Sequence, residues 1–194
     1  MKKTLLITAF VAVLFAVPAC AQTDMQTDNP IQWKTIEQAS QTDFENNDKL
    51  IFIDFYTSWC GWCKRMDRET FQDPTVEAIL NQFFIPVHFN AEGSETVNWK
   101  GKVYQPQMAN GRPNAHGFAR AILGSNIGYP SFALFSPDGS LIQILQGYQA
   151  PGDFQMILWY FASGDNVRYP FETYQEIFES QIKPVMNKRL GFTK

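Results

Sequence analysis

The sequence predicts an α/β fold: a mixed central sheet flanked by helices, with a long inserted loop and a C-terminal helical extension. Three observations predict it. Leu50–Tyr56 is a nearly continuous apolar run, as suits a strand buried on both faces. Segments of helical periodicity alternate with such runs, which implies parallel crossovers. Ser131–Ser136 and Ser140–Tyr148 flank Pro137-Asp138-Gly139, the turn of an antiparallel hairpin. Of the 194 residues 45% are hydrophobic and 18% charged, enough apolar material for a real core, which excludes a disordered or fibrous chain. Sixteen Lys+Arg against 19 Asp+Glu give a charge of −3, and this lack of basic excess argues against nucleic acid as a main partner.

The elements follow in order. Met1-Lys2-Lys3, an uncharged run from Thr4 to Val17 and Pro18-Ala19-Cys20-Ala21 form a secretory signal peptide over residues 1–21. Cleavage after Ala21 and lipidation of Cys20 at a lipobox-like Val17-Pro18-Ala19-Cys20 both remain open. Either removes Lys2 and Lys3 and leaves a more acidic chain. Residues 22–30 are polar and read as a flexible leader. The folded domain then covers 31–164. Ile31–Ile36 is a candidate edge strand, and Glu37–Asn47 places Ala39 and Phe44 on one helical face. After the Leu50–Tyr56 strand, Cys63, Met66 and Thr70 share a helix side. Asp73-Pro74 is a helix start, with Asp at the cap and Pro at the first position, and Val76, Ile79 and Leu80 supply the apolar face. Phe83–Phe89 reads as a strand and Asn114–Leu123 as a short helix. Between them, 91–113 is a long polar insertion. Pro151–Ala162 is helical, with Phe154, Ile157, Leu158 and Phe161 on one face. Residues 165–194 form the extension, with an amphipathic helix over Phe171–Leu190 interrupted at Pro184.

Only three cysteines are present, Cys20, Cys60 and Cys63, far too few for a disulfide scaffold. Trp59-Cys60-Gly61-Trp62-Cys63-Lys64 sits at a strand-to-helix junction. Two residues between the cysteines let the sulfurs meet across the first helical turn. The first thiol lies at the helix N-terminus, where unsatisfied N–H groups favour a thiolate; the second, inside the helix, can attack a mixed disulfide. Cys60 is therefore the candidate nucleophile and Cys63 the resolving thiol. A structural zinc site would need further ligands, and a haem site a His where Lys64 stands.

Ile53-Asp54-Phe55-Tyr56-Thr57-Ser58-Trp59-Cys60-Gly61-Trp62-Cys63-Lys64 resembles the active-site strand and helix start of the thioredoxin superfamily. Thr70-Phe71-Gln72-Asp73-Pro74-Thr75-Val76 is similar to the following segment in the C-terminal thioredoxin-like domain of DsbD and its periplasmic relatives. Ile127-Gly128-Tyr129-Pro130-Ser131-Phe132 resembles the cis-proline turn. The resemblance spans roughly residues 31–164 and implies a thioredoxin-like fold. It implies that Asp54 is the buried acid that takes a proton from the resolving thiol. It puts His88 where thioredoxins carry a Lys near that acid, so that a His tunes the pair across neutral pH, a surface or structural His being the alternative. It implies a cis bond before Pro130, with Tyr129 offering backbone to an extended substrate. Trp59 matches a shielding aromatic, and Trp62 replaces the Pro of thioredoxin in the dipeptide, leaving the direction of electron flow open. His116 has no partner motif and reads as structural.

The function that follows is an exported thiol:disulfide oxidoreductase reducing protein disulfides, with Trp59, Trp62, Tyr129 and Pro130 at the substrate. No metal or organic cofactor is implied. The partners are disulfide-containing proteins and an upstream redox donor, with a membrane thiol-reductant transporter as a candidate. The chain would reside in the bacterial periplasm, or on the outer membrane if lipidated at Cys20. A disulfide oxidase or isomerase, and a binding module acting through the insertion and the C-terminal helix, are the alternatives.

Overall fold

The computed structural model describes residues 30–41 and 47–192. The signal-peptide and leader readings, and with them Cys20, lie outside those residues apart from Pro30, as does Phe44 of the first predicted helix.

The chain enters through Lys34, which makes a single parallel bridge to Val87. The expected strand over Ile31–Ile36 is reduced to that bridge because Thr35 starts a helix instead. Its hydroxyl accepts from the Gln38 N–H while the Gln38 side chain accepts from the Thr35 N–H, a reciprocal capping box. Helix α1 spans Ile36–Ser40, shorter than predicted. Strand β1 is Leu50–Tyr56. Helix α2, Gly61–Arg65, passes into a π-helical turn over Met66–Thr70, and Cys63, Met66 and Thr70 are all buried, as their spacing predicts. Helix α3, Pro74–Phe83, is capped by Asp73, whose Oδ1 accepts from the N–H groups of Thr75 and Val76 and from Gln155 Nε2. It runs straight into β2, Phe84–Asn90.

The 91–113 insertion is not a loop. It carries two hairpins, β3 (Val97–Trp99) with β4 (Lys102–Tyr104) and β5 (Gln107–Ala109) with β6 (Arg112–Asn114). Both turn on two residues with positive φ, Lys100-Gly101 and Asn110-Gly111. A turn with both central residues in that region matches the twist of a hairpin, which is why Gly recurs there. The His116 N–H donates to the Ala91 carbonyl at 2.7 Å, so the insertion leaves and rejoins the domain at one point. Helix α4 (Gly117–Leu123), β7 (Ser131–Phe135), β8 (Leu141–Gln146) and α5 (Pro151–Ala162) follow. The last segment breaks into α6 (Phe171–Ile177) and α7 (Lys183–Leu190) at a π-helical turn over Phe178–Ile182. Pro184, the expected breaker, lies in the first turn of α7, directly after that π-helical turn.

The sheet order is β2-β1-β7-β8, parallel between β1 and β2 and antiparallel elsewhere, so one parallel crossover suffices. Alternation along β1 separates two cores. Phe52 joins Met66, Leu80, Phe132 and Phe154 on one face; Ile51, Ile53 and Phe55 join Phe118, Trp99 and Ala119 on the other. Helices α3 and α5 cover the first face, and Tyr174, Phe178, Met186 and Leu190 of the C-terminal segment belong to that same core. Helices α1 and α4 and the β3–β4 hairpin cover the second. Asp54, in phase with Phe52, points into the first layer, near Asp67 of the π-helical turn.

Candidate functional site

Strand β1 ends at Tyr56, and four residues later the chain begins α2. Cys60 is the N-cap of that helix, and its Sγ accepts from the Cys63 N–H at 3.0 Å. Cys60 and Cys63 form a disulfide with Cα atoms 5.3 Å apart, so the site is in its oxidised state. The sulfurs, bonded to each other, are not available as metal ligands here. Each cysteine is only 3% exposed.

In β1, ahead of the cysteines in the chain, Asp54 is 2% exposed and its Oδ1 has no hydrogen-bond partner. In the parallel register Asp54 stands opposite His88. His88 Nε2 comes to 3.2 Å of Asp54 Oδ2. Burial pushes the Asp54 carboxyl above the ordinary range; His88 pulls it back only in part, and Asp67 adds to the rise. Asp67, four residues beyond Cys63, brings the side-chain atoms of Asp54, Asp67 and His88 within 4.8 Å of one another, and its own carboxyl is also raised by burial. The His88 ring stacks on Tyr56 at 3.9 Å and lies 5.0 Å from Trp33. Tyr56 shares the face of Asp54 by strand alternation.

Around the buried disulfide stand exposed aromatics. Trp59 is 65% and Trp62 55% exposed. Neither is loose. The Trp59 Nε1–H donates to Glu92 Oε2 at 2.8 Å, and its ring meets Tyr129 edge-on at 6.0 Å. Trp62 lies against Tyr148 at 5.6 Å, with the Arg65 guanidinium 5.5 Å from one ring and 4.6 Å from the other. Glu69 holds both Arg65 and the Tyr148 hydroxyl at 2.8 Å. The Tyr129–Pro130 bond is cis, as the resemblance implies. Since Ser131 pairs with Phe55, this turn lies at the end of β1 from which the cysteine loop departs. Burial, with Glu92 nearby, pushes the Tyr129 phenol up to about 12.

The chain is similar to several known proteins. The family described as Thioredox_DsbH, Protein of unknown function, DUF255, matches residues 21–110. A thioredoxin-fold protein from Helicobacter pylori superposes with a TM-score of 0.52 at 16% identity, covering 78% of this chain and 98% of that one. Thiol:disulfide interchange protein DsbD of Escherichia coli is 34% identical over 84 residues, 43% of this chain and 15% of that protein. An uncharacterized protein of Caenorhabditis elegans is 31% identical over 71 residues, 37% of this chain and 10% of its own length. The chain thus spans about a seventh of DsbD or less of these curated relatives. The chain has the thioredoxin fold. Its cysteine pair, at disulfide distance, is of the kind found in thioredoxin-like thiol:disulfide oxidoreductases.

Within this thioredoxin fold, the residues singled out from sequence gather at one end of β1: Asp54 with His88 inside, and Trp59, Trp62, Tyr129 and Pro130 around the cysteines. His116 stands apart as the N-cap of α4. Its Nδ1 accepts from the Phe118 N–H and its Nε2–H donates to the Glu95 carbonyl, so it holds the insertion to the helix. Sequence reasoning missed Asp67, Tyr56, Glu92 and Tyr148. Asp67 and Tyr56 were findable by helix and strand spacing from Cys63 and Asp54. Glu92 and Tyr148 reach the site from remote segments, with no local signal.

Proposed function

We propose that this chain is an exported thiol:disulfide oxidoreductase that reduces protein disulfides through Cys60 and Cys63. The observation that carries the reading is the Cys60–Cys63 disulfide at the head of α2 with the unpartnered, buried Asp54 carboxyl in the strand before it. In the dithiol form, the Cys63 N–H at Cys60 Sγ favours a thiolate there. That thiolate attacks one substrate sulfur, forming a mixed disulfide and expelling the other as a thiolate. Cys63 then gives its proton to Asp54 and attacks Cys60 Sγ. The mixed bond breaks, its electron pair leaves on the second substrate sulfur, and the Cys60–Cys63 bond forms. Two electrons pass to the substrate, and an upstream redox protein must return them. A carboxyl raised by burial holds a proton readily, which suits it to this step.

The exposed Trp59 and Trp62 and the Tyr129–Pro130 turn form the docking rim, the turn presenting backbone to an extended substrate segment. The signal-like residues 1–21 support export, to the periplasm or, with Cys20 lipidated, to the outer membrane. Among the described residues no helix is long and apolar enough to cross a membrane.

Reduced protein should turn over insulin disulfides, and Cys60→Ser should abolish this; a variant that retains the activity refutes the role of Cys60. A redox titration assigns direction. A potential well below that of glutathione fits a reductase, and one near or above it means an oxidase or isomerase.

A further inference from the structure

Strand register and the turn after α2 bring three metal-ligating side chains together. Asp54 and His88 are neighbours across β1 and β2, with His88 Nε2 3.2 Å from Asp54 Oδ2. Asp67 comes from the π-helical turn over Met66–Thr70, a rare geometry that frequently marks functional sites. Ligating atoms of Asp54, Asp67 and His88 all lie within 4.8 Å of one another. Acids on a surface often cluster without consequence, but this cluster has a buried floor. Asp54 is 2% exposed, and its Oδ1, without a hydrogen-bond partner, has neither a donor nor appreciable water to satisfy it. Among the described residues, the group that offsets the charge of either carboxylate is His88.

Zinc takes imidazole nitrogen and carboxylate oxygen at about 2.0–2.2 Å, and a tetrahedron of such bonds sets its ligand atoms about 3.3 Å apart. His88 Nε2 and Asp54 Oδ2 already have that spacing. Asp67 and His88 are partly open to solvent, so an ion can enter and the Asp67 side chain can close on it. The His88 ring also lines a half-open cavity of about 510 Å³, with Glu37, Glu92 and Glu95 on its walls and no Lys or Arg among the lining residues. Such a surface concentrates cations beside the ring.

From this cluster we propose that Asp54, Asp67 and His88 form a binding site for a divalent transition-metal ion of the zinc class. His88 supplies Nε2 as neutral imidazole, the two aspartates supply carboxylate oxygens, and water completes the coordination. The two carboxylate charges match that of the ion, and Asp54 Oδ1 gains the partner it lacks. An imidazole donor disfavours Mg²⁺ and Ca²⁺, which take oxygen ligands. The cysteines take no part, so binding does not depend on the oxidoreductase reading. Under that reading, a loaded site withholds Asp54 from Cys63.

The experiment is isothermal titration of Zn²⁺ into the oxidised full-length protein carrying Cys20→Ser, in which no thiol remains to bind the ion. One equivalent should bind, and excess Mg²⁺ should not displace it. Asp67→Ala and His88→Gln should each weaken binding by more than about 100-fold, beyond the 10–100-fold that loss of a merely supporting partner costs. Glu37→Gln and Glu95→Gln, on the cavity wall, should change it only a few-fold. Because the ion binds the folded chain, Zn²⁺ should also raise the melting temperature of the parent but not of Asp67→Ala. Circular dichroism checks the fold of each variant; should His88→Gln not fold, Asp67→Ala, at a partly open position, decides. No stoichiometric binding, displacement by Mg²⁺, or full affinity in Asp67→Ala overturns the proposal. Loss of the ion in the cavity-wall variants alone also overturns it, and places the ion among the glutamates. Insulin reduction by the metal-free protein tests the oxidoreductase reading separately, so either can fail without the other.

Discussion

Asp54 is expensive to ionise where it stands, because the charge has almost no water and its Oδ1 has no partner. Its carboxyl is raised in the folded state, so between the unfolded value of 3.8 and the folded one the native chain binds more protons than the unfolded chain. Stability is therefore highest below the unfolded value and falls as the pH rises through that window. Asp54→Asn removes the ionisation. It should raise the melting temperature at pH 7, by roughly 2–4 °C per kcal/mol regained, and the gain should vanish as the pH drops below about 4. Thermal melts of both proteins across that range test this; a destabilised variant at pH 7 would mean that the charge is compensated. This acid was legible in sequence as a lone charge in an apolar strand. Its contact with His88 follows from a parallel register that places strand residues 34 positions apart side by side, which spacing alone does not reveal.

The insertion shows the same contrast at the level of elements. Its composition reads as a loop, yet Val97 and Trp99 are buried in the second core, the Trp99 ring 5.8 Å from Phe118 and 5.4 Å from Phe135. Asn110-Gly111 was a usable hairpin signal, but the flanking strands are three residues each and too short to show alternation. The two hairpins should behave differently. Trp99→Ala leaves a cavity in the core and should cost about 3–5 kcal/mol, whereas Met108→Ala on the exposed β5 should cost no more than about 0.5 kcal/mol. Urea unfolding separates the two. Equal small losses would mean that the insertion is an appendage.

For the whole molecule, the C-terminal segment is part of the domain rather than an addition to it. Tyr174, Phe178, Met186 and Leu190 complete the first core, and Arg189 lies over the rings of Phe83 and Trp159 from α3 and α5. Each large apolar side chain buried there contributes roughly 1.5–3 kcal/mol. A chain ended at Gly164 should lose several kcal/mol and expose the flanks of α3 and α5. It should show a lower melting temperature and a tendency to aggregate, visible by calorimetry and light scattering. A truncated protein that melts like the full chain would show that the helices only rest on a finished core.

The sequence by itself determined what depends on near neighbours. The apolar run of β1, the Asp73-Pro74 start of α3, the Pro151–Ala162 helix and the spacing of Cys60 and Cys63 are all local, since caps, periodicity and a four-residue turn need no distant partner. Tertiary structure alone decided the rest. It reduced the first strand to one bridge, moved the break in the last helix from Pro184 to Phe178–Ile182 and buried the insertion's Trp99. It also set His88 between Asp54 and an open cavity, and brought Glu92 and Tyr148 to the tryptophans beside the disulfide. Those outcomes depend on which apolar surfaces find each other and on strand register, and these are contacts between residues far apart in the chain.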